Sequence, residues 1–453
     1  MAFARSRWIK NASVLTICLS CTALPISVSA QPLSLAEAEQ RLHRSYQLLA
    51  QQADVDAWRF QAEALDSLTM PQLDITIAGI AYQKDILLRI PTIQEPVELD
   101  LFRSGIRSQV NVMWPLYTGG RTDAAQQQVA ARLTEAEAEQ HQLQQQLVKR
   151  LFDLYFSSQM MHQVVQVRQQ AQQALLQHVH RAKRFEEEGL ITSLQRMQAE
   201  VATADARREA VQAKQQWQDI QAALSNLLQL EPVGCLTTPL PTPIEITQTA
   251  RWFVQQAKRS NPIFDQLRAK QQQASQQLRL EQGKLMPEVF LVGSYDLNRS
   301  ATPLTEPDWS VGLGVRYQLL SNTNRRAAIN SVQSRQQQLQ HVTAQAEADI
   351  ELAVQAAYRQ VTNTKEQFQL LQQDLSLAQE HARMQSRAFE QGLATSLDVS
   401  DARLKLAAAE VNLLQVAYQH ISALAQLSQL SGQPELLTTL VPAVLHTQPC
   451  LEN

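Results

Sequence analysis

The sequence lacks the features on which enzymes and nucleic-acid-binding proteins usually depend. Its 40 lysines and arginines are outnumbered by 43 aspartates and glutamates, so there is no excess positive charge to attract nucleic acid. The nine histidines are dispersed, and the closest pair, His178 and His180, would point in different directions on a helix. No nucleophile, metal-binding or phosphate-binding motif is recognisable. We therefore expect no enzyme, no cofactor and no nucleic-acid partner, and we interpret the histidines as solvated.

Long apolar runs are lacking after the first 30 residues. Within residues 1–30, basic residues precede an apolar run at 14–24, and the small residues Val28-Ser29-Ala30 follow. This order is typical of a secretory signal peptide, cleaved here after Ala30. The run is shorter than the roughly 20 residues that span a bilayer, which disfavours a membrane anchor. No later stretch approaches about 18 apolar residues, so any membrane crossing would be made by strands.

Cysteine is also scarce, with four residues in the chain. Cys18 and Cys21 lie in the predicted leader. Lipidation at Cys21 is the alternative to cleavage after Ala30, but Cys18 stands three positions before it, where a lipoprotein signal has an aliphatic residue. The mature chain keeps Cys235 and Cys450. A disulfide between them and two free thiols are both compatible with the sequence, and two cysteines do not make a disulfide framework.

Proline and glycine are absent from two long, Gln-rich stretches. Between Gly120 and about residue 187 there is neither, and apolar residues such as Leu143, Leu147 and Leu151 recur at steps of three and four. This spacing predicts one continuous amphipathic helix, roughly 100 Å long. Gly189 ends it and a second helix follows, so we expect a long antiparallel hairpin at 120–229.

The plan is duplicated. The segment GLITSL from Gly189 recurs 203 positions later as GLATSL from Gly392, at the turn of a second hairpin expected at 324–431. Such a fixed offset indicates two structural repeats. We place them at 31–232 and 250–432, with a linker at 233–249, a tail at 433–453, and short helices at 35–67 and 250–283.

Between the short and long helices of each repeat, apolar and polar residues alternate strictly. This alternation predicts strands of about ten residues at 72–84, 105–117, 288–298 and 308–320. Strands of this length with aromatic residues near their ends are typical of a transmembrane β-barrel, although a half-buried soluble sheet alternates in the same way. Four strands cannot close a barrel, so chains would have to associate. The residues expected to face a wet lumen are Arg107, Gln109, Asn111, Asp296 and Arg316. The segment 85–104 is expected to be an external loop.

Several of these features together resemble the TolC-like outer-membrane efflux proteins. They are the leader, the duplicated helix-strand-strand-hairpin plan, WPLYTGGR between a strand and a helix, and FEQGLATSLDVSDA at a hairpin turn. The resemblance covers nearly all of residues 35–432. The first short helix lacks the Asn-Pro that the second keeps at Asn261-Pro262, and Asn322-Thr323-Asn324 stands where the first repeat has Gly119-Gly120-Arg121. These departures affect local turns.

The resemblance implies a mainly α fold with a transmembrane β-barrel. Three identical chains would build a 12-stranded β-barrel in the outer-membrane lipid of a Gram-negative-type bacterium, and their helices would build a periplasmic α-barrel. A periplasmic adaptor (membrane fusion) protein and an inner-membrane pump or ABC transporter would drive cargo through this conduit. The turn residues implied to dock the adaptor are Gly189, Leu190, Thr192, Gly392, Leu393 and Thr395.

The resemblance also implies a narrowed periplasmic mouth. Asp398 and Asp401 resemble the family's mouth aspartates, and Phe389 resembles its gate aromatic. Acids in the first turn of a helix are also favoured by the helix dipole, which is the simpler explanation. The family's ionic latch is missing, because its positions hold Ala394 and Gln195. We therefore expect other contacts to hold the closed state, or a mouth that leaks more easily.

One other class of protein shares much of this pattern. A periplasmic coiled-coil adaptor or structural protein would also be exported and would also have long, Gln-rich hairpins. It would not need four alternating strands with aromatic ends. Recovery in the soluble periplasmic fraction would favour it over a channel.

Overall fold

A computed structural model describes residues 32–84, 86–90, 97–102, 104–230, 235–299, 306–434 and 437. The first repeat contains α1 (Leu35–Leu42), α2 (Tyr46–Asp66), β1 (Gln72–Ile80), β2 (Ile86–Ile90), β3 (Val97–Phe102), β4 (Gly105–Tyr117), α3 (Arg121–Glu187) and α4 (Ser193–Leu228). The second contains α5 (Ala250–Ser260), α6 (Pro262–Gly283), β5 (Glu288–Arg299), β6 (Trp309–Arg316), α7 (Arg325–Glu390) and α8 (Ser396–Ser431). None of the described helices carries an apolar stretch long enough to cross a membrane.

Each predicted short helix is divided in two. In the second repeat the division falls at Asn261, whose side chain accepts a hydrogen bond from the Ile263 amide at 3.0 Å. Pro262 then occupies the first position of α6, where a missing amide hydrogen is tolerated. In the first repeat the division falls between α1 and α2, without a proline. The expected loop at 85–104 contains an antiparallel pair, β2 and β3, and β6 ends at Arg316, four residues before the expected boundary.

The main sheet is antiparallel, in the order β1-β4-β5-β6. The two edge strands of this sheet are therefore β1 and β6. Large apolar side chains are exposed on one face, with Leu73, Ile75 and Ile77 between 63% and 72% exposed in β1. Trp309, Val311, Leu313 and Val315 are similarly exposed in β6. Such a face requires an apolar covering that one chain does not supply.

The helices continue the order of the strands. Above the middle of the molecule, α3 packs between α2 and α6, and α6 packs against α7. Below it, α3 packs against both α4 and α8, α4 also contacts α8, and α8 packs against α7. The chain is thus an open layer that is more than one helix deep where α3, α4 and α8 meet, with β1, α2 and α4 along one edge and β6 and α7 along the other.

Two glycines bring the repeats together where the sheet meets the helices. Gly119 has a φ of 67°, and a Cβ placed there would lie 2.6 Å from the Met286 Cβ and 2.7 Å from the Gly283 carbonyl oxygen. A Cβ at Gly283 would lie 2.8 Å from the Gly119 carbonyl oxygen. Beside this contact, Arg121 forms an ion pair with Glu288 at the start of β5. The end of β4 and the end of α6 therefore fit only because both positions lack a side chain.

The largest core cluster lies at mid-height, where the linker crosses the hairpins. Tyr155 of α3 is fully buried, and its hydroxyl donates to the Leu33 carbonyl oxygen at 2.8 Å and accepts from the Thr238 amide at 3.0 Å. His420 of α8 accepts from the Ile244 amide at 3.3 Å through Nε2. Cys235, in the same linker, is disulfide-bonded. Cys450, considered as its partner from the sequence, lies outside the described residues, as do the leader and most of the tail.

Candidate functional site

The two hairpin turns lie at one end of the layer and are built alike. Gly189 and Gly392 have φ values of 73° and 72°, in the left-handed region that favours glycine. Thr192 and Thr395 then cap the following helices, each accepting from the amide three residues later. The leucine after each glycine is strongly exposed, Leu190 by 65% and Leu393 by 79%. Each turn therefore presents an apolar tip on a rigidly capped helix.

The two candidate mouth aspartates are both exposed near the start of α8, and one of them caps that helix. The Asp398 carboxylate accepts from the Thr395 amide at 2.8 Å and from the Thr395 hydroxyl at 2.6 Å. These hydrogen bonds lower the pKa of Asp398. They also give Asp398 a structural role within one chain, which leaves Asp401 as the freer of the two to act in an assembly.

Phe389, the candidate gate aromatic, is buried between the two hairpins. Its ring stacks on Phe185 of α3, with ring centres 5.4 Å apart, and meets the edge of the His178 ring at 4.8 Å. Ala182, Val399, Ile191 and Ala394 complete this cluster. Ala394, one of the two positions at which the resemblance implied an ionic latch, therefore takes part in apolar packing. Arg196, next to Gln195, pairs at 2.6 Å with Glu186 of the same hairpin.

The interpretation from the sequence that the histidines are solvated is wrong for two of them. His178 is 1% exposed and His420 is fully buried. Burial lowers the pKa of each ring from 6.5 to about 4, assisted by Arg181 at His178 and by Lys365 at His420. Each lies in phase with the apolar positions three before and four after it, and that phase was the signal in the sequence that could have identified them.

The candidate lumen residues fall into two groups in the sheet. Arg107 of β4 lies 3.4 Å from the Asp296 carboxylate of β5 and 2.7 Å from Glu306. Asn111 donates to Thr76 of β1 at 3.4 Å, and Gln109 lies between them in β4. Arg316 is at the opposite end of the sheet, 3.7 Å from Glu288, with its guanidinium over the Phe290 ring. The structure thus brings Arg107 and Asp296 together and keeps Arg316 apart.

Two segments of the sequence, residues 38–229 and 253–433, match a family described as outer membrane efflux protein. The chain belongs to this family. Residues 230–252 separate the two matched segments. The efflux family is one of outer-membrane channel proteins, which confirms the resemblance stated from the sequence.

Solved structures of similar fold agree with this membership. The chain is similar to CusC, with a TM-score of 0.75 and 16% identity over 89% of this chain and 92% of that one. It is also similar to VceC of Vibrio cholerae (TM-score 0.72, 16% identity, 88% and 96% covered). The open state of MtrE from Neisseria gonorrhoeae gives a TM-score of 0.70 at 15% identity, with 88% of each chain covered. These likenesses confirm the expected fold class. No match was found among curated protein sequences.

Within the described residues of this efflux-family chain, no group of three or more histidine, cysteine, aspartate or glutamate residues is placed to hold a metal ion. In the main sheet, Arg107 pairs with Asp296, and Arg316 pairs with Glu288.

Proposed function

We propose that three copies of the chain close edge to edge into an outer-membrane channel-tunnel, the exit duct of an efflux or type I secretion system. The observation that carries the proposal is the open layer with two unlike edges. The edge formed by β1, α2 and α4 differs from the edge formed by β6 and α7. A contact between one edge of a copy and the opposite edge of the next copy is therefore a head-to-tail contact that can repeat. Such contacts form a closed ring when the rotation between neighbours permits.

Apolar side chains along both edges support this closure. On α7, Leu370, Leu377 and Met384 are between 59% and 69% exposed and are spaced seven residues apart. This spacing is that of a coiled-coil seam. The opposite edge carries a matching row on α4, Leu194, Met197, Val201 and Val211, all strongly exposed. Helix α4 of one copy would therefore pack on α7 of the next.

The sheet would close in the same way, with β6 of one copy beside β1 of the next. Unpaired strand edges are not tolerated in lipid, because no water is present to bond their amides and carbonyls. Three copies would give the 12 strands of the family's barrel. The exposed apolar face would meet lipid, and Arg107, Gln109, Asn111, Asp296 and Arg316 would line the lumen.

In such a ring the hairpin turns would meet around the axis as the periplasmic mouth. Asp398 and Asp401 of three chains would bring six carboxylates together, which favours cations. The exposed Leu190 and Leu393, with Gly189, Thr192, Gly392 and Thr395, would form the docking surface for a periplasmic adaptor. An inner-membrane pump or ABC transporter behind the adaptor would supply the energy, and the chain itself would act as a passive conduit.

Planar-bilayer conductance of detergent-extracted protein tests the proposal. We expect discrete, cation-preferring channels, and we expect Asp401→Asn to reduce the cation preference. The matched control is Asp374→Asn, which removes an exposed aspartate from α7 at a distance from the turns. A protein found only in the soluble periplasmic fraction, without channels, would contradict the proposal and favour the adaptor class. If the parent, Asp401→Asn and Asp374→Asn channels were equally selective, Asp401 would be an ordinary acid in the first turns of a helix and would not contribute to the selectivity of the mouth.

A further inference from the structure

His178 joins the two hairpins of one chain near the turns. The ring projects from α3, its Nε2 lies 2.9 Å from the hydroxyl of Ser396, the first residue of α8, and its edge meets Phe389 of α7. We name His178, Phe185, Phe389 and Ser396 the hairpin clasp. The clasp occurs where this chain has no ionic latch, and it is the polar contact that ties α8 to α3 closest to the second turn among the described residues.

In the hairpin clasp, only one of the two nitrogens of the neutral His178 ring has a hydrogen-bond partner. Ser396 is fully buried, and the second ring nitrogen, Nδ1, is buried without a hydrogen-bond partner. The Ser400 hydroxyl, one turn further along α8, is also buried and unpartnered. Buried polar groups without partners are rare in folded proteins. A ring that gains a proton at Nδ1 would bury a charge there with no acceptor.

The charges around the ring all oppose protonation. Arg181 of its own helix and Arg403 of α8 act on it, and both are cations. The side of α7 contributes the uncharged Phe389 ring, and Arg403 itself donates to Ser386 of α7 at 3.2 Å. The ring also contacts the N-terminal end of α8, where the helix dipole disfavours a positive charge. Among the described residues, none of the groups that act on the ring is a carboxylate.

We propose that the hairpin clasp is an acid-sensitive latch of the tunnel mouth: the neutral His178 ring holds α8 against α3, and protonation releases the second hairpin. The inference rests on the proposed function for its consequence, a wider mouth, but the release itself occurs within one chain. The sign follows from the two states. The clasped ring resists protonation and the released, solvated ring does not, so acid favours release.

His420 shows by contrast why His178 is the sensitive one. Both rings are almost completely buried. At His420, however, both nitrogens are bonded, Nε2 to the Ile244 amide and Nδ1 to the Thr364 hydroxyl at 3.0 Å. It also lies between the linker and α7, away from the hairpin turns. His420 is therefore a fixed structural residue, and His178 is held on one side only.

A distance measurement tests the latch without requiring a conducting channel. Leu190→Cys and Leu393→Cys place spin labels on the two exposed turns, and Cys235 does not compete because it is disulfide-bonded. The pKa of the His178 ring is 6.5 when the ring is released and about 4 when it is clasped. The ratio of released to clasped protein should therefore rise about tenfold from about pH 7.5 to about pH 5.5. We expect the distance distribution to broaden toward longer values over that interval.

The variants separate the clasp from general effects of acid. His178→Gln can still bond Ser396 but cannot titrate, and His178→Phe keeps the aromatic contact. Both should show distances independent of pH. His180→Gln, which removes an exposed histidine two residues away, should behave as the parent protein does. A parent distribution unchanged by pH, or an equal change in His178→Gln, would overturn the inference, and either result would leave the conductance test of the tunnel unaffected.

Discussion

The contact between Gly119 and Gly283 predicts unequal effects of two neighbouring substitutions. Gly119 and Gly120 have similar left-handed φ values, 67° and 79°, so an alanine at either position carries the same backbone cost, roughly 1–2 kcal/mol. A Cβ at Gly120 meets nothing within 4 Å. A Cβ at Gly119 meets the Gly283 carbonyl oxygen and the Met286 Cβ, neither of which is the end of a flexible side chain. The overlap should add about 1–3 kcal/mol.

The assay is the apparent melting temperature of the detergent-extracted protein, followed by the helical circular dichroism signal. Gly120→Ala should melt slightly below the parent, and Gly119→Ala should melt clearly below Gly120→Ala. Gly283→Ala separates the two causes, because its backbone is not left-handed and only the overlap with the Gly119 carbonyl oxygen and the Arg121 side chain remains. Equal melting of Gly119→Ala and Gly120→Ala would refute the close approach as the reason for the glycine.

Two further predictions concern the core at mid-height. Tyr155→Phe should destabilise the fold by about 1–3 kcal/mol in a melting experiment, because the Leu33 carbonyl and the Thr238 amide both lose a buried hydrogen-bond partner. The control Tyr317→Phe changes an exposed ring and should have little effect on stability. Burial lowers the pKa of His420 from 6.5 to about 4, so the stability that requires its neutral ring is complete above pH 6.5 and is lost as pH falls toward 4. His420→Gln should therefore lose less melting temperature than the parent between those values, and an identical loss would contradict this role.

The long hairpins could be predicted from the sequence because helix length depends on a local property. Residues 121–187 contain no proline or glycine, and the break at Gly189 has a single physical cause, its left-handed backbone. The strands were also visible, because a strict alternation of apolar and polar residues over eight or more positions fits the period of a strand and not that of a helix. The division at Asn261-Pro262 was readable in principle, since proline favours the first position of a helix.

The site was less visible because it depends on contacts between segments far apart in sequence. His178 and Ser396 are 218 residues apart, so the contact between them cannot be predicted from either segment alone. Residue type alone suggested solvated histidines, whereas the position of His178 between Leu175 and Ala182 on the buried stripe decides its environment. The sequence also could not decide between two roles for Asp398. A carboxylate three residues after a threonine N-cap stabilises the start of the helix whether or not it also faces the axis of an assembly.

Electron cryo-microscopy of the detergent-extracted protein tests the central claim most directly. The account predicts three copies around a continuous tunnel, with the α4 edge of each copy against the α7 edge of the next and β6 beside the neighbour's β1. Particles that contain one copy, or copies joined through like edges without a tunnel, would contradict it.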